Sequence, residues 1–336
     1  MDKILTYSPS PHIKAPKTTK GIMIRVCIAL LPACIMGVVY FGINAFLLLL
    51  ISMLSAVASE FIYLLIMKKS FNEIVKQFDF TSLVTGMLIA MCLGSQTPLY
   101  VPIFANAFAI IVVKMIFGGT GKNLVNPAIT GRVLAFMSFP AILSGWLTPS
   151  IGAIIEKSVA GATNPTTGAT ILTTMFADGG SLPNTSILDM LLGTGMMGCI
   201  GETCKIALIA GAIFLAISGV INIIYPLIYI AVTGLFTVCL CGFDFAYFMP
   251  SILSGGLILG AFFMATDYTT TPNTILGNVI YFILLGLLTA GLRVSTKIEV
   301  VSFVILLMNL IVPLIDKFIV NKPFGYKKAK KEKGAK

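Results

Sequence analysis

The stretch Asn164-Pro165-Thr166-Thr167-Gly168-Ala169-Thr170 lies in a polar insert that divides the chain into two strongly apolar halves. The insert, residues 147–185, contains eight threonines and a single basic residue, Lys157. Gly168 has no Cβ, so the backbone there can approach a bulky group closely, beside the hydroxyl group of Thr170. The same residue types also form ordinary surface turns. Composition alone therefore leaves two interpretations open, a site for a bulky group and a surface turn.

The composition is that of an integral membrane protein. The chain has 336 residues, of which 57% are hydrophobic and 11% are charged, and its mean hydropathy is +0.99. These values exclude a soluble globular protein. The formal net charge of +10 includes many lysines before the first and after the last apolar segment. Because basic residues beside membrane spans mark cytoplasmic ends and contact anionic lipid, we predict contact with membrane lipid and no nucleic-acid partner.

Apolar runs predict eleven helical segments, five before the insert and six after it. Both termini are basic and are predicted to be cytoplasmic, which requires an even number of crossings. The short, glycine-rich run 187–201 is the one that we expect not to cross, so about ten transmembrane helices remain. The insert is poor in lysine and arginine and is predicted to be extracytoplasmic. The segments are 22–40, 41–67, 80–95, 99–117, 127–146, 187–201, 203–222, 225–243, 247–265, 276–292 and 299–320.

A repeat at an offset of 148 residues indicates that the two apolar halves are duplicated units. Units with an odd number of spans are inverted across the membrane, with sites near the midplane where helices break. We therefore predict an all-α integral membrane protein of two repeated, inverted five-helix halves. The repeated residues are Val84-Thr85-Gly86 and Val232-Thr233-Gly234, Gly94 and Gly242, and Pro102 and Pro250. The predicted parts are a cytoplasmic arm at 1–21, a first transmembrane half at 22–146, an extracytoplasmic loop at 147–185, a second transmembrane half at 186–320 and a basic cytoplasmic tail at 321–336.

Two glycine-rich connections are candidates for broken helices at membrane depth. The first runs from Gly118 to Ala128 and contains Asn123 and Asn126, whose amide groups are costly to bury in lipid without partners. Asn126 precedes a proline and is also a natural helix N-cap. Helix capping and ligand contact therefore both remain open for the two asparagines. The second connection begins at Gly255-Gly256.

Three acidic residues lie in or beside apolar segments, where charged groups are candidate functional residues. Glu60 lies near lysines 68–69, and its side chain can extend toward them and the cytoplasm. Glu202 and Lys205 are three residues apart and can pair on a helix. Asp267 follows an apolar segment and can cap a half-helix or bind a cation. Local pairing and a candidate ion pathway thus remain alternatives for Glu60 and Glu202, and helix capping and a candidate ion pathway remain alternatives for Asp267.

The sequence contains no recognised catalytic set, zinc-ligand spacing, phosphate-binding loop or dinucleotide fingerprint. Its seven cysteines lie in or beside apolar segments without a Cys-x-x-Cys pair, and buried small hydrophobes are the default interpretation. We therefore predict no catalytic residue and no metal site in this chain. Any redox chemistry then belongs to a bound cofactor.

The sequence Thr167-Gly168-Ala169-Thr170 resembles the [S/T]-G-A-[S/T] site at which a flavin transferase joins FMN to a threonine through a phosphoester. The family is the one that contains the RnfD component of Rnf complexes and the NqrB component of sodium-translocating NADH:quinone reductases. Residues 201–205 and 255–272 resemble signature segments of the same family, and the resemblance covers about Phe80 to Gly291. One position departs from the family pattern, because Asn164 stands where aspartate is usual.

The resemblance implies a membrane component of an ion-translocating, Na⁺ or H⁺, ferredoxin:NAD⁺ oxidoreductase complex in the cell membrane. Such a component transfers electrons and is not catalytic alone. The resemblance implies covalent FMN on Thr170, with Thr167, Gly168 and Ala169 completing the motif, and a non-covalent riboflavin contacted by Asn123 and Asn126. It also implies the other members of the complex and a flavin transferase as partners, and a fold distantly similar to urea-transporter-like channels.

A second function class remains open from the residues themselves. A solute channel or transporter would use the interface between the repeats and would leave the threonine-rich loop inert. The two hypotheses differ in one observable, since only the electron-transfer protein carries a covalent flavin.

Overall fold

The fold is built almost entirely from helices, which confirms the predicted all-α class. The computed structural model describes residues 18–147, 167–168, 170–176, 182–183, 185–194 and 196–320. Within these ranges the only sheet pairs β1 (Trp146–Leu147) with β2 (Thr167–Gly168). The helices are α1 (Thr19–Phe41), α2 (Ile43–Ile66), α3 (Phe71–Gln77), α4 (Thr81–Met91), α5 (Tyr100–Ala107), α6 (Pro127–Ser138), α7 (Pro140–Leu143), α8 (Ile171–Phe176), α9 (Ile187–Leu192), α10 (Lys205–Ile217), α11 (Ile224–Leu240), α12 (Phe248–Leu253), α13 (Leu257–Leu259), α14 (Ile275–Thr296) and α15 (Val301–Phe318).

Four of the described helices, α1, α2, α14 and α15, are long and apolar enough to cross a membrane on their own. If each of two bent helix pairs counts as one crossing, the number rises to six. Shorter apolar helices lie at Tyr100–Met115, α10 and α11. The protein is thus a helical membrane protein, while the ten crossings stay a prediction.

Two bent helix pairs interrupt the apolar halves. The axes of α3 and α4 differ by 67°, and the axes on either side of the break between α12 and α13 differ by 66°. The second break contains Gly255, whose φ of +63° lies in the region that favours glycine. Its carbonyl oxygen accepts a hydrogen bond from Lys205 Nζ at 2.8 Å, and the N–H of Gly256 donates to Glu299 Oε2 at 3.2 Å. Side chains therefore satisfy the backbone groups that the break leaves free.

Wide π-helical turns extend two of the short helices. Phe108–Met115 continues α5, and Gly260–Met264 continues α13. Such turns often occur at functional sites because they change the direction of the side chains that follow. The first one carries Lys114, and the second leads to the buried Met264.

Small residues let the helices pack closely. A Cβ on Gly211 of α10 would overlap the backbone oxygen of Ala29 in α1. A Cβ on Gly86 of α4 would lie 2.8 Å from the backbone oxygen of Ser52 in α2. Close backbone approach of this kind is a main source of helix association in membranes, where lipid is as apolar as the side chains.

The predicted non-crossing segment 187–201 holds a helix of only six residues, α9. The chain after it is irregular and buried against the end of α4. The N–H groups of Ile200 and Gly201 donate to the carbonyl oxygens of Leu93 and Met91, at 3.1 and 2.8 Å. Six helical residues are far fewer than the roughly 20 that span a bilayer. Protein rather than lipid therefore surrounds this irregular stretch.

Candidate functional site

The described part of the threonine motif is held against the end of the first half. Thr167 pairs with Leu147, and Gly168 pairs with Trp146, across the two-stranded sheet. Thr170 then precedes α8, and its Oγ1 lies 2.6 Å from Oγ1 of Thr173. Asn164 and Ala169 lie outside the described residues. The sheet thus fixes the chain just before the hydroxyl that the sequence predicts as the attachment point.

Thr170 and Thr173 line a cavity of about 770 Å³, here called the threonine cavity. This volume includes space that is open to solvent, so the enclosed part of the cavity is smaller. Aromatic side chains form much of its wall, including Trp146 and the edge-to-face pair of Phe136 and Phe303, whose ring centroids are 5.9 Å apart. The cavity therefore offers flat apolar surfaces of the kind that a ring system packs against.

A cluster of five buried or partly buried charged groups lies behind the threonine cavity, here called the charge cluster: Arg132, Glu202, Lys205, Arg293 and Glu299. Arg293 Nη2 and Glu299 Oε2 form an ion pair at 2.7 Å. A Cβ on Gly256 would lie 3.1 Å from Glu202 Oε2 and 3.7 Å from Arg132 Nη1, so both groups reach the helix break. The charge cluster combines residues from both apolar halves.

Arg132 and Glu299 are the two members of the charge cluster that line the threonine cavity. Arg132 Nη1 donates to Ser302 Oγ at 2.7 Å. Glu299 accepts three hydrogen bonds, from Arg293 and from the N–H groups of Gly256 and Val301. Hydrogen bonds to charged groups are among the stronger ones in proteins, so these two side chains are held in fixed positions.

Asn123, Asn126 and Asp267 line a second cavity, here called the asparagine cavity, of about 820 Å³. Apolar residues of α1, α4 and the second π-helix form most of the remaining wall, among them Val26 and Phe262. The sequence analysis treated Asp267 apart from the two asparagines, and the fold brings all three to one cavity. The cavity is mostly apolar and carries a few polar groups, as small-molecule sites do.

The structure confirms that Asn126 is the N-cap of α6. Its Oδ1 accepts hydrogen bonds from the N–H groups of Ala128 and Ile129, at 2.9 and 3.4 Å. Its Nδ2 donates to the carbonyl oxygen of Met264 at 3.2 Å, which ties the cap to the second half of the chain. Backbone groups are therefore hydrogen-bonded to both the oxygen and the nitrogen of the Asn126 side-chain amide.

The amide of Asn123 is only half occupied by the part of the chain that the structure describes. Nδ2 donates to the carbonyl oxygen of Val125 and to Thr269 Oγ1, both at 3.1 Å. None of the described residues donates a hydrogen bond to Asn123 Oδ1. Thr269 Oγ1 in turn donates to Asp267 Oδ2 at 3.0 Å. Of the two asparagines, Asn123 is therefore the one with an acceptor to offer a ligand.

The predicted surroundings of Glu60 are wrong. Glu60 does not extend to lysines 68–69 but is buried, and its Oε1 pairs with Lys114 Nζ at 2.8 Å. Lys114 also donates to Thr81 Oγ1 at 2.5 Å and lies 3.8 Å from Asp79 Oδ1. Lys114 lies in the first π-helix and reaches Glu60 across the helix interface, so a tertiary contact replaces the predicted local one.

The predicted side-chain pair of Glu202 and Lys205 is also wrong. Lys205 Nζ donates to the backbone oxygen of Glu202, not to its carboxylate. The carboxylate instead accepts from the N–H of Cys199 at 2.7 Å. Lys205 is the first residue of α10, so the two residues are not on one helix, as the prediction assumed.

Asp267 does not cap a helix. Its carboxylate accepts from Thr269, while Thr274 is the N-cap of α14. Glu60, Glu202 and Asp267 lie in three different places, so the structure does not join them into one site.

Sequence reasoning missed Lys114, Arg132, Arg293 and Glu299 as site residues. The general rule that charged groups inside apolar segments are functional candidates would have found Lys114 and Arg132, which lie inside the predicted segments 99–117 and 127–146, whereas Arg293 lies just beyond segment 276–292. Nothing local in the sequence indicated that Arg132 and Glu299 share a cavity. No group of three or more potential metal-ligand side chains occurs among the described residues.

Comparison with known proteins identifies the family of this chain. The model of the family described as "NQR2, RnfD, RnfE family" matches residues 6–325. The D component of the Na⁺-translocating ferredoxin:NAD⁺ oxidoreductase complex of Acetobacterium woodii is 38% identical over 98% of both chains. The D component of the proton-translocating ferredoxin:NAD⁺ oxidoreductase complex of Clostridium ljungdahlii is 34% identical over 96% of both chains.

A third relative extends the comparison to a more distant sequence. The D component of the ion-translocating oxidoreductase complex of Actinobacillus succinogenes is 30% identical, over 94% of this chain and 97% of its own. The similarity thus spans both apolar halves and the insert between them rather than one motif. The chain belongs to the NQR2, RnfD, RnfE family.

Proposed function

We propose that this chain is the membrane-embedded D component of an ion-translocating ferredoxin:NAD⁺ oxidoreductase complex. The names of the relatives and the length of the matches support this assignment. The relatives are named for sodium in one case and for protons in the other, so the proposal leaves the ion open. The other members of the complex are the implied partners. This chain is not catalytic alone.

The same proposal includes FMN joined to Thr170 by a phosphoester, as the route by which electrons pass through the chain. The single observation that carries it is the position of the Thr170 hydroxyl on the wall of the threonine cavity, among aromatic side chains. FMN supplies one- and two-electron exchange when bound. Trp146 and the pair of Phe136 and Phe303 would pack against its rings, and the cavity walls would limit the access of water.

Riboflavin is the proposed occupant of the asparagine cavity. Asn123 Oδ1 would accept a hydrogen bond from the ligand, because no described residue occupies that atom. Asn126 would act indirectly, since its amide holds the start of α6 and the carbonyl of Met264 in place. Asp267 would face the ligand from the opposite half of the chain, held by Thr269.

We further propose the inverted ten-span architecture, with both termini cytoplasmic and the insert outside. Helices α6 and α14 support it, since each begins after an N-cap, Asn126 or Thr274, and these residues are 148 positions apart. Both halves also contain a π-helix shortly before that cap. Exposed apolar side chains on the long helices, such as Ile66 and Phe318, are suited to membrane lipid or to the other members of the complex. A flavin transferase is the proposed partner for maturation.

Glu60, Glu202 and Asp267 remain proposed members of an ion pathway. Glu60 reaches the asparagine cavity through Lys114, which lines it, and Asp267 lines it directly. Glu202 belongs to the charge cluster instead. An ion that passes all three groups would have to move between two separate polar regions, one at the asparagine cavity with Asp267 and the Glu60–Lys114 pair, and one at the charge cluster with Glu202.

The experiment that tests the function is in-gel flavin fluorescence of the denatured protein, with mass-spectrometric mapping of the modified peptide. Thr170→Ala is expected to abolish covalent flavin while the protein still inserts. Thr174→Ala is the control and should keep its covalent flavin, because Thr174 is exposed and its hydroxyl donates to the backbone oxygens of Thr170 and Ile171. Retained covalent flavin in Thr170→Ala, or FMN mapped to Thr167, would overturn the assignment. A wild-type protein without any covalent flavin would favour the solute channel or transporter.

A further inference from the structure

We propose that the charge cluster is an anion site and that Arg132 binds the phosphate group of the flavin attached at Thr170. The inference rests on the proposed function, because that function supplies the phosphate. It goes further by assigning Arg132, on the wall of the threonine cavity, as the partner of the phosphate. Arg132 and Thr170 line the same cavity, and Arg132 and Glu202 both lie beside Gly256 at the helix break.

The charge balance of the cluster is the first argument. Arg132, Lys205 and Arg293 contribute three positive charges, and Glu202 and Glu299 contribute two negative ones, so the described cluster carries a net charge of +1. Lys205 and Arg293 are each 1% exposed, so solvent screens them little. A phosphodiester that joins FMN to a threonine carries one negative charge. It would therefore neutralise the described cluster without excess.

The hydrogen-bond inventory is the second argument, because it singles out Arg132. Lys205 Nζ is engaged by two backbone oxygens, those of Glu202 and Gly255. Arg293 is engaged by Glu299 and by the carbonyl oxygens of Ser251 and Ser254. These two cations therefore have their main partners inside the protein, although the buried Nε of Arg293 has no hydrogen-bond partner among the described residues.

Arg132 differs from both. A guanidinium has five N–H donors. Among the described residues, the oxygen partner of Arg132 is Ser302 Oγ, and a further contact is to the thiol of Cys92. No described carboxylate forms an ion pair with it. The planar donor fork of an arginine matches two oxygens of a phosphate, so the donors that Ser302 does not occupy suit this ligand.

The architecture explains why the site would select a phosphorylated flavin. Glu299, the acidic member on the cavity wall, has its carboxylate occupied by Arg293, Gly256 and Val301 and thus repels an anion less than a free carboxylate would. Riboflavin has no phosphate and gains nothing from the cluster. The two cavities would therefore separate FMN from riboflavin by charge, although both bind the same ring system.

The test uses the Thr170→Ala protein, which lacks the attachment hydroxyl, and measures non-covalent binding of free FMN. The protein is first saturated with riboflavin, so that the asparagine cavity is filled. FMN is then titrated, and binding is followed through the fluorescence of Trp146, the only tryptophan of the chain, which lines the threonine cavity. We expect FMN to quench this fluorescence with a measurable Kd.

The Arg132→Gln change in the same background is expected to raise the Kd for FMN roughly tenfold, because a charge-assisted hydrogen-bond partner is lost. Arg132→Lys keeps the positive charge but loses the planar donor geometry of the guanidinium, so it is expected to raise the Kd for FMN less. This second variant also tests the proposal if Arg132→Gln fails to fold. Arg25→Gln is the control. Arg25 lies on α1, where it donates to the carbonyl oxygen of Ser218, and its replacement should leave the Kd unchanged.

The outcomes separate this inference from the proposed function. If FMN binds with the same Kd in the Arg132→Gln and Arg25→Gln proteins, the anion site is refuted, whatever the covalent state of the wild type. If FMN fails to quench Trp146 in the Thr170→Ala protein, the inference is refuted as well, since a flavin phosphate then does not bind in the threonine cavity. If Arg132 matters for FMN but wild-type protein carries no covalent flavin, the anion site stands and the attachment at Thr170 falls.

Discussion

Replacing Lys114 by methionine should destabilise the protein strongly, because it leaves Glu60 buried without its counter-ion. The two side chains are 4% and 9% exposed, and their charged atoms are 2.8 Å apart. At an effective dielectric constant of about 20, this distance corresponds to an attraction of about 6 kcal/mol. Desolvation opposes much of that, and removal of one partner from a buried pair typically costs about 3–5 kcal/mol. We expect Lys114→Met to fall in that range.

A double change separates the ion pair from simple packing. Glu60→Gln in the Lys114→Met protein removes the unpaired charge and keeps a polar group near Ser82, which donates to Glu60. The double variant should therefore recover most of the lost free energy of unfolding, to within about 1–2 kcal/mol of the wild type. Lys76→Met is the control for the charge change, because Lys76 is exposed on α3.

The assay is unfolding of the purified protein in mixed micelles titrated with SDS, followed by tryptophan fluorescence. The midpoint and slope give the free energy of unfolding for each variant. If Lys114→Met loses no more free energy than Lys76→Met, the buried pair does not stabilise the fold as the geometry implies. If the double variant is less stable than the single one, the unpaired charge on Glu60 is not the cause of the loss.

Four further predictions concern other parts of the chain. Asn123→Ala should lower the non-covalent flavin content and leave the covalent flavin at full yield. Unchanged riboflavin content would show that Asn123 serves only its hydrogen bonds within the protein. Asn126→Ala should lower the free energy of unfolding by about 1 kcal/mol through the loss of a helix cap, measured by the same SDS titration. Gly211→Ala should destabilise the contact of α10 with α1, while Gly291→Ala, whose Cβ would meet no atom within 4 Å, should be stabilising by about 0.5–1 kcal/mol. Thr174→Cys, in a protein whose exposed Cys239 has been replaced, should react with an impermeant thiol reagent in intact cells. Labelling only after permeabilisation would place the insert on the cytoplasmic side of the membrane.

Much of the fold was predictable because a bilayer imposes strong local rules. Continuous apolar runs predicted α1, α2, α14 and α15, and the glycines and the asparagine before Pro127 predicted a helix start there. The same rules cannot give the length of broken or short helices. Between residues 187 and 201 the chain is apolar enough to be a candidate helix, and only its contacts with the end of α4 show why most of it is irregular.

The candidate sites were predictable as separate pieces and not as assemblies. Asn123 and Asp267 were each singled out by their polarity, yet their common cavity depends on how the two halves pack. Glu60 was assigned the nearest lysines in sequence, while its partner Lys114 is 54 residues away. Long-range pairing of this kind leaves no local pattern in one sequence. The charge cluster was not predicted for the same reason.

The span of the charge cluster along the chain has a consequence for how the protein is made. Arg132 and its partner Ser302 are 170 residues apart, and Ser302 lies in α15, the last of the described helices. During synthesis the guanidinium of Arg132 enters the membrane region long before Ser302 and Glu299 have left the ribosome. It therefore has to remain hydrated or held by another factor until α15 inserts. The cavity beside Thr170 is thus complete only once α15 is in place, and a flavin that needs this cavity can settle there only after that helix has inserted.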